Sequence, residues 1–220
     1  MNPALAGVAL AVVVGAVVAG SAGNARSAIL GLLAVLLFGP FLADPTAQPL
    51  GLAARLVGAT LSGYLLWIAA RGPGAWTGGS RLGLPAEVLV AAAAAVVGYG
   101  SHGLGAPATG PALAQAAGFA VAALSIEPIA NGRDVVRVGT GLLLLVSGVT
   151  LVRTALGGTP EPLEQLVLAG LVAGLGGALA VLAVSARASG LDFELAPDRP
   201  GRVRREPDAH RIEGGPADVR

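Results

Sequence analysis

Long apolar runs separated by short polar stretches dominate the chain. A membrane-spanning helix needs about 20 mainly apolar residues, and about 17 suffice where the bilayer is thin. Seven runs meet or come within one residue of this criterion, near residues 3–20, 28–43, 50–70, 86–102, 111–127, 135–155 and 163–185. The pattern therefore predicts an all-α polytopic membrane helix bundle of about seven transmembrane helices over residues 1–186.

Prolines support this division, because most of them fall in the gaps between runs, where a helix best tolerates a lost N–H donor. The prolines assigned to gaps, or in the case of Pro111 to the first residue of a run, are Pro45, Pro49, Pro73, Pro85, Pro107, Pro111, Pro128, Pro160 and Pro162. Pro40 falls inside a run, near its end. We therefore expect the fifth helix to end before Pro128.

Composition places the chain in the membrane class. Hydrophobic residues make up 54% and charged residues 12%, with a mean hydropathy of +0.74, far from the usual make-up of soluble domains. The chain has no cysteine, which excludes disulfides and thiolate metal sites. We expect a lipid bilayer around the chain, no cofactor, no metal and no nucleic-acid partner.

Arginine placement predicts the orientation. With the N-terminus outside, the first, third and fifth connections face the cytoplasm and carry Arg26, Arg71, Arg81, Arg133 and Arg137, whereas the other three carry at most Arg153. This distribution obeys the positive-inside rule. It predicts a multi-pass protein of the cytoplasmic (inner) membrane with its C-terminus in the cytoplasm. The first run is expected to stay uncleaved, because "MNPALAG" lacks the basic residues that precede a signal sequence.

Arg55 is the exception to this placement, since it lies inside the third run. A charge within a membrane helix is a functional candidate by default. The alternative interpretation is that its side chain reaches the outer interface, toward Asp44.

Short polar strings point to an internal repeat. "NAR" at 24–26 and "NGR" at 131–133 precede the second and sixth runs, and "DPTAQ" at 44–48 and "EPLEQ" at 161–165 follow them. Such self-similarity predicts a duplicated three-helix unit, with repeats at 3–71 and 111–187 and a fourth helix between them. The copies would share one orientation, unlike the inverted repeats of many secondary transporters.

The same residues resemble a known group of proteins. Arg133, Arg137 and Gly141, followed after a helix by "EPLEQLVLAGLVAG" with Gln165, are similar to the K subunit of NADH-quinone oxidoreductase and the C subunit of Mrp-type antiporters. A seven-helix chain ending in this unit most resembles hydrogenase-4 component E. The resemblance covers about 60 residues and implies a membrane subunit of a complex-I-related assembly, with an N-out topology.

One departure from that group shapes the functional hypothesis. Where the group carries a glutamate in the sixth helix, this chain has Leu143 and Val146, and no Asp or Glu lies deep inside any run. A proton path through lipid needs titratable groups. We therefore expect a non-catalytic subunit with a structural role beside proton-translocating subunits, not an enzyme on its own but able to belong to an oxidoreductase complex.

Small residues and the tail indicate partners. Gly170, Gly174 and Gly177 form a smooth helix face that should pack closely, either within the chain or against another membrane subunit. Gln115 is expected to hydrogen-bond across helices, and His102 to be an interface residue. Residues 187–220 are predicted to form a cytoplasmic, disordered tail that can dock a soluble subunit.

Two other functions stay open at this stage. One is a stand-alone permease for a small solute or anion, with Arg55 as the anion contact and an aqueous cavity reaching it. The other is a scaffold of an unrelated membrane complex.

Overall fold

The structure, a computed structural model, describes residues 3–44, 48–71, 80, 83–104, 107–132 and 134–188. These residues form seven α-helices and no strand, so the all-α prediction is confirmed. The helices are α1 (Pro3–Ser21), α2 (Ala25–Phe38), α3 (Pro49–Ala69), α4 (Leu84–Gly100), α5 (Ala112–Asn131), α6 (Val135–Gly157) and α7 (Pro162–Ala188). A short 3-10 helix, Gly39–Leu42, continues α2.

Six of these helices are long and apolar enough to cross a membrane, when α2 is taken with its 3-10 continuation. The remaining helix, α4, is apolar but has only 17 residues, close to the lower limit for a span. The chain is thus a polytopic membrane helix bundle.

Two predicted helix ends are wrong. Helix α5 continues through Pro128 to Asn131, because proline within a last turn removes only one N–H donor and its fixed φ still fits a helix. Helix α7 extends to Ala188, and the Arg187 guanidinium donates a hydrogen bond to the Ala69 carbonyl at the end of α3. Arg187 therefore belongs to the bundle and not to the tail.

Successive helices run in opposite directions along the bundle. The contact of Gly98 with Phe119 near one end and of Gly20 with both Glu87 and Leu124 near the other places α1 and α5 parallel and α4 antiparallel to them. Helices α1, α3, α5 and α7 therefore finish at one end of the bundle, here called the arginine-rich end because Arg26, Arg137 and Arg187 lie there.

A close helix crossing joins α1 to α2 through glycine. A methyl group added at Gly31 would lie 2.5 Å from the Gly15 carbonyl oxygen and 2.6 Å from the Ala19 nitrogen. One added at Gly15 would lie 2.9 Å from the Gly31 oxygen and 3.3 Å from the Val35 nitrogen. Only glycine allows the two backbones to approach this closely.

The same crossing recurs between α5 and α6. A methyl group at Gly148 would lie 2.9 Å from the Gly118 oxygen and 2.8 Å from the Ala122 nitrogen, and one at Gly118 would lie 2.8 Å from the Gly148 oxygen and 2.9 Å from the Val152 nitrogen. Each glycine thus faces the same backbone atoms of its partner helix, four residues apart, as in the first crossing. Gly15 corresponds to Gly118, and Gly31 to Gly148.

Helix pairing across the bundle follows the same order. Helix α1 packs against α5, α2 against α6 and α3 against α7, while α4 packs mainly against α5. Three like pairs around one axis are the arrangement that two parallel copies of a three-helix unit would adopt. The duplication itself stays a prediction.

The polar strings that suggested the repeat do not occupy matching places. Gln48 is exposed at the N-cap of α3, whereas Gln165 is fully buried within α7 and contacts Gly51. The glycine crossings therefore give a better register for comparing the two halves than the polar strings do.

Candidate functional site

A buried ion pair joins the end of α5 to the start of α6. The Arg137 Nη2 donates to both carboxylate oxygens of Glu127, at 3.0 Å and 2.8 Å. Only 9% of the Arg137 side chain and 7% of the Glu127 side chain are exposed. Burying both partners is costly, and only close, hydrogen-bonded geometry offsets that cost. Sequence reasoning placed Arg137 in the arginine-rich turn before the sixth helix and did not pair it with Glu127.

Pro128 and Gly141 bring these two helix ends together. A methyl group at Gly141 would lie 3.1 Å from the Ile129 nitrogen and 3.1 Å from the Pro128 Cγ, so glycine is needed for the approach. Pro128 has no N–H, and it therefore leaves the carbonyl of Leu124, four residues earlier, without its regular helical donor. Gly141, which the sequence singled out through its resemblance to the K-subunit group, packs here against the end of α5.

Glu87 completes the site from α4. It lies in the first turn of that helix and is 2% exposed. A methyl group at Gly20 of α1 would lie 3.3 Å from Glu87 Oε2 and 3.9 Å from the Leu124 carbonyl oxygen. Neither oxygen of the Glu87 carboxylate has a hydrogen bond of regular geometry. The Ser80 hydroxyl is nevertheless near enough to interact with this carboxylate.

We call Glu87, Glu127 and Arg137 the buried charge cluster. The charges of both Glu127 and Arg137 act on Glu87, and all three side chains are buried toward the arginine-rich end. Two carboxyl groups with one guanidinium can bind and release a proton. In the parts of the chain that the structure describes, no group of three or more His, Asp or Glu side chains is placed to hold a metal ion.

Sequence reasoning missed Glu87. An acid just after a proline at a helix start is usual, because it favours the positive end of the helix dipole. An acid that stabilises a helix start in this way is normally expected to be exposed. The burial of Glu87 becomes visible only when α1 packs against α4 and α5. The prediction that helix centres lack acids is unaffected, since Glu87 and Glu127 lie within the end turns.

The opposite end of the bundle carries a more exposed ion pair. Arg153 Nη2 contacts Glu164 Oε2 at 2.5 Å, and Arg153 Nη1 donates to the Gly158 carbonyl at 3.0 Å. The two side chains are 40% and 33% exposed. Nearby, Gln165 donates to the Pro160 carbonyl at 2.8 Å, so this predicted site residue fixes the turn that leads into α7.

A polar contact at that same end joins α4 to α5. Gln115 Oε1 lies 2.8 Å from His102 Nδ1, and Gln115 Nε2 donates to Ser101 Oγ at 3.1 Å. The expected hydrogen bond of Gln115 between helices is therefore confirmed. His102 contributes to packing of the α4 end through this contact.

Arg55 lines a small cavity, and the exposed Asp44 is not among the charges that act on it. The cavity, of about 20 Å³, also borders Val35, Ser147 and Thr150, which is room for about one water molecule. The carboxylate whose charge acts on Arg55 is Glu164. A cavity of this size does not admit a solute larger than water.

The predicted glycine face of α7 is open at two of its three positions. A methyl group at Gly170 or Gly174 would meet nothing within 4 Å, and one at Gly177 would make an ordinary contact of 3.6 Å with Leu65. The structure instead packs α7 on α3 through Gly58 and Gly176. Arg133 and residues 189–220, which carry the rest of the predicted tail, lie outside the described residues.

Comparison of the chain with protein families, with curated proteins and with solved structures gave no match. The resemblance to the K, C and component E subunits therefore rests on the residues quoted above.

Proposed function

We propose that the chain is a non-catalytic membrane subunit of a complex-I-related assembly, with a structural role beside proton-translocating subunits. In this proposal the protein lies in the inner membrane with its arginine-rich end toward the cytoplasm. Other membrane subunits are its main partners. The seven-helix order and the position of Arg137 and Gly141 at the start of α6 support the proposal.

The open glycine face of α7, formed by Gly170 and Gly174, carries the argument. Both glycines are exposed, and neither has a neighbour within 4 Å. Glycine in a helix costs about 1 kcal/mol relative to alanine, and in lipid a small-residue face gains stability when another helix approaches it closely. Intrachain packing does not use these positions, which favours a helix of another subunit as their partner.

The described interior also fits a structural role better than transport. The cavity at Arg55 is near the size of one water molecule, and the ion pairs of Arg137 and Arg153 fasten neighbouring helices to each other. A stand-alone permease would need a path for its solute. The proposal therefore takes the chain as a passive neighbour within a larger assembly.

Site-specific cross-linking in native membranes tests this proposal. Because the chain has no cysteine, Gly174→Cys introduces a single thiol on the open face. Gly7→Cys is the matched control, since Gly7 is also an exposed helical glycine with nothing within 4 Å. We expect a thiol cross-linker to join Gly174→Cys to a membrane protein of discrete mass, and Gly7→Cys to give no such product.

A second variant tests whether that contact holds the assembly together. Gly170→Leu combined with Gly174→Leu should leave the monomer folded, because both side chains enter open space, and should abolish co-purification of the cross-linked partner in mild detergent. Recovery of the natural protein as a solitary monomer, with no cross-link from Gly174→Cys, would refute the proposal.

A further inference from the structure

Two oxygen acceptors lie within 4 Å of the point that a Gly20 side chain would occupy. Glu87 Oε2 and the Leu124 carbonyl oxygen lie 3.3 Å and 3.9 Å from the point that a Gly20 side chain would occupy. The carbonyl lost its helical donor to Pro128, and neither Glu87 oxygen has a hydrogen bond of regular geometry. Buried acceptors without donors are costly. Protonation of Glu87 would lower this cost, because the protonated carboxyl group is a donor.

The charges around Glu87 also favour its protonated, neutral form. The charges of Glu127 on α5 and Arg137 on α6 act on Glu87. The uncharged Gly20 of α1 packs against it, and the Ser80 hydroxyl before α4 is near enough to interact with it. Arg137 already binds both oxygens of Glu127. With Glu87 ionised, these three side chains would carry one net negative charge in a buried site, and with Glu87 neutral they carry none.

We propose that Glu87 is a proton-binding site, whose carboxyl group holds a proton at neutral pH and directs it to the Leu124 carbonyl. Proton uptake from water converts the carboxylate to the neutral acid, and release returns the proton to water and leaves the carboxylate. This inference goes beyond the structural role proposed above and does not depend on it.

The geometry favours a proton over a metal ion. Hard cations take about six to eight oxygen ligands, whereas the oxygens placed near this space among the described residues are those of the Glu87 carboxyl, the Leu124 carbonyl and the Ser80 hydroxyl. Among the described residues no third acid or histidine completes a metal-binding group. A single proton turns one of the two acceptors beside Gly20, the Glu87 carboxylate, into a donor from which the Leu124 carbonyl can accept.

Modification with dicyclohexylcarbodiimide tests the proposal on the full chain in liposomes. This apolar reagent attaches to protonated carboxyl groups in apolar surroundings. Glu164 is the matched control, because it also lies in a helix first turn but is paired with Arg153 and a third exposed. Mass spectrometry at neutral pH should show Glu87 modified at least about tenfold more than Glu164, the factor that one pH unit gives in a protonated fraction.

A second readout covers the case in which the reagent does not reach the site. Infrared difference spectra between mildly acidic and alkaline pH should contain a carboxylic-acid C=O band that disappears in Glu87→Gln. That variant should unfold at the same temperature as the natural protein or higher at neutral pH, since the amide mimics the neutral acid.

Glycine variants make the test local. Gly20→Ala places a methyl group beside Glu87 Oε2, and should reduce the modification of Glu87 several-fold. Gly23→Ala, whose methyl group meets nothing within 4 Å, should leave it unchanged.

Three results would overturn the proposal. One is the absence of both the Glu87 adduct and the Glu87-dependent infrared band. Another is protection of Glu87 by sodium ions at constant pH, which would identify a metal-ion site. The third is a large loss of stability in Glu87→Gln at neutral pH, which would show that the ionised form is the one stabilised.

Discussion

The hairpin of α1 and α2 and the hairpin of α5 and α6 cross through the same glycine contacts but differ beyond them. Six residues follow Gly15 before α1 ends at Ser21, whereas thirteen follow Gly118 before α5 ends at Asn131. The second hairpin therefore continues about two turns, or roughly 10 Å, further toward the arginine-rich end. Glu127, Pro128, Arg137 and Gly141 all lie in that extension.

This difference separates helix packing, which both hairpins share, from the buried ion pair, which lies in the second hairpin. The glycine crossing serves packing in both halves, and the extension adds buried charge in only one of them. Glu87 of α4 lies against the end of the short hairpin, at Gly20, and is within electrostatic range of the ion pair in the long one. The buried ion pair and the buried Glu87 thus lie where the two halves cease to match.

The largest expected effect comes from removing the buried partner of Glu127. Arg137→Leu leaves a carboxylate with 7% of its side chain exposed and without its guanidinium, and should reduce the free energy of unfolding by about 3 kcal/mol. Arg153→Leu is the control, because its pair with Glu164 is partly exposed and should lose only about 0.5 kcal/mol. Thermal unfolding in detergent measures both, and equal losses would contradict the account.

The crossing glycines should show the next largest effect, and the same effect in both hairpins. Gly31→Ala and Gly148→Ala each force a methyl group to within 3 Å of backbone atoms, and each should cost about 2 kcal/mol of unfolding free energy. Gly7→Ala, in open space, should cost nothing. A loss at Gly31 with none at Gly148 would show that the two crossings are not equivalent.

A change at Pro128 should act in the opposite direction. Pro128→Ala restores a donor for the Leu124 carbonyl and should raise the free energy of unfolding by about 1 kcal/mol. The same change supplies the acceptor beside Glu87 with a backbone partner, so carbodiimide modification of Glu87 should decrease. Increased stability with unchanged Glu87 modification would show that the Leu124 carbonyl does not serve Glu87.

The helix caps of the two hairpins give the smallest effect. Asn24 caps α2 with a neutral side chain that accepts from the Ser27 amide at 2.8 Å. At the N-cap of α6, burial raises the pKa of the Asp134 carboxyl above its usual range, opposed by the backbone amide of Val136 and by the charge of Arg187. One oxygen of Asp134 is buried without a hydrogen bond.

The raised pKa sets the sign of a pH dependence. Stabilisation from protonated Asp134 is present below the ordinary pKa of an aspartate, about 4, and is lost as pH rises through the raised folded-state pKa. Asp134→Asn removes this dependence, so its stability relative to the natural protein should increase from acidic to neutral pH, by less than about 1 kcal/mol. Unfolding curves across that pH range check it, and a relative decrease would contradict the assignment.

The apolar runs were sufficient to predict the helices, because a span's length is imposed by the bilayer. Their partners were not predictable in the same way. The chain has 34 glycines, and nothing local distinguishes Gly31, which lies in a crossing, from Gly174, which faces open space. Likewise one interpretation of Arg55 directed its side chain toward Asp44 because the two residues are close along the chain, whereas packing of α3 on α7 places it in the field of Glu164.

The partners of charged residues were likewise not predictable from the sequence, although the positions of those residues were. Arg137 was located from its position in an arginine-rich turn, but its bond to Glu127 depends on α5 continuing through Pro128. The sequence pattern favoured a helix end at that proline. Glu87 is buried because α1, α4 and α5 pack together around it. The spacing of residues along any one of these helices does not indicate that packing.

The coupling between Glu127 and Arg137 tests the central claim most directly, namely that the extension of the second hairpin exists around a buried charge pair. A double-mutant cycle with Glu127→Gln, Arg137→Leu and the combined variant isolates the coupling free energy from the other contacts of each residue. We predict a coupling of more than about 1 kcal/mol, with the combined variant more stable than Arg137→Leu alone. Additivity within about 0.3 kcal/mol would contradict the account.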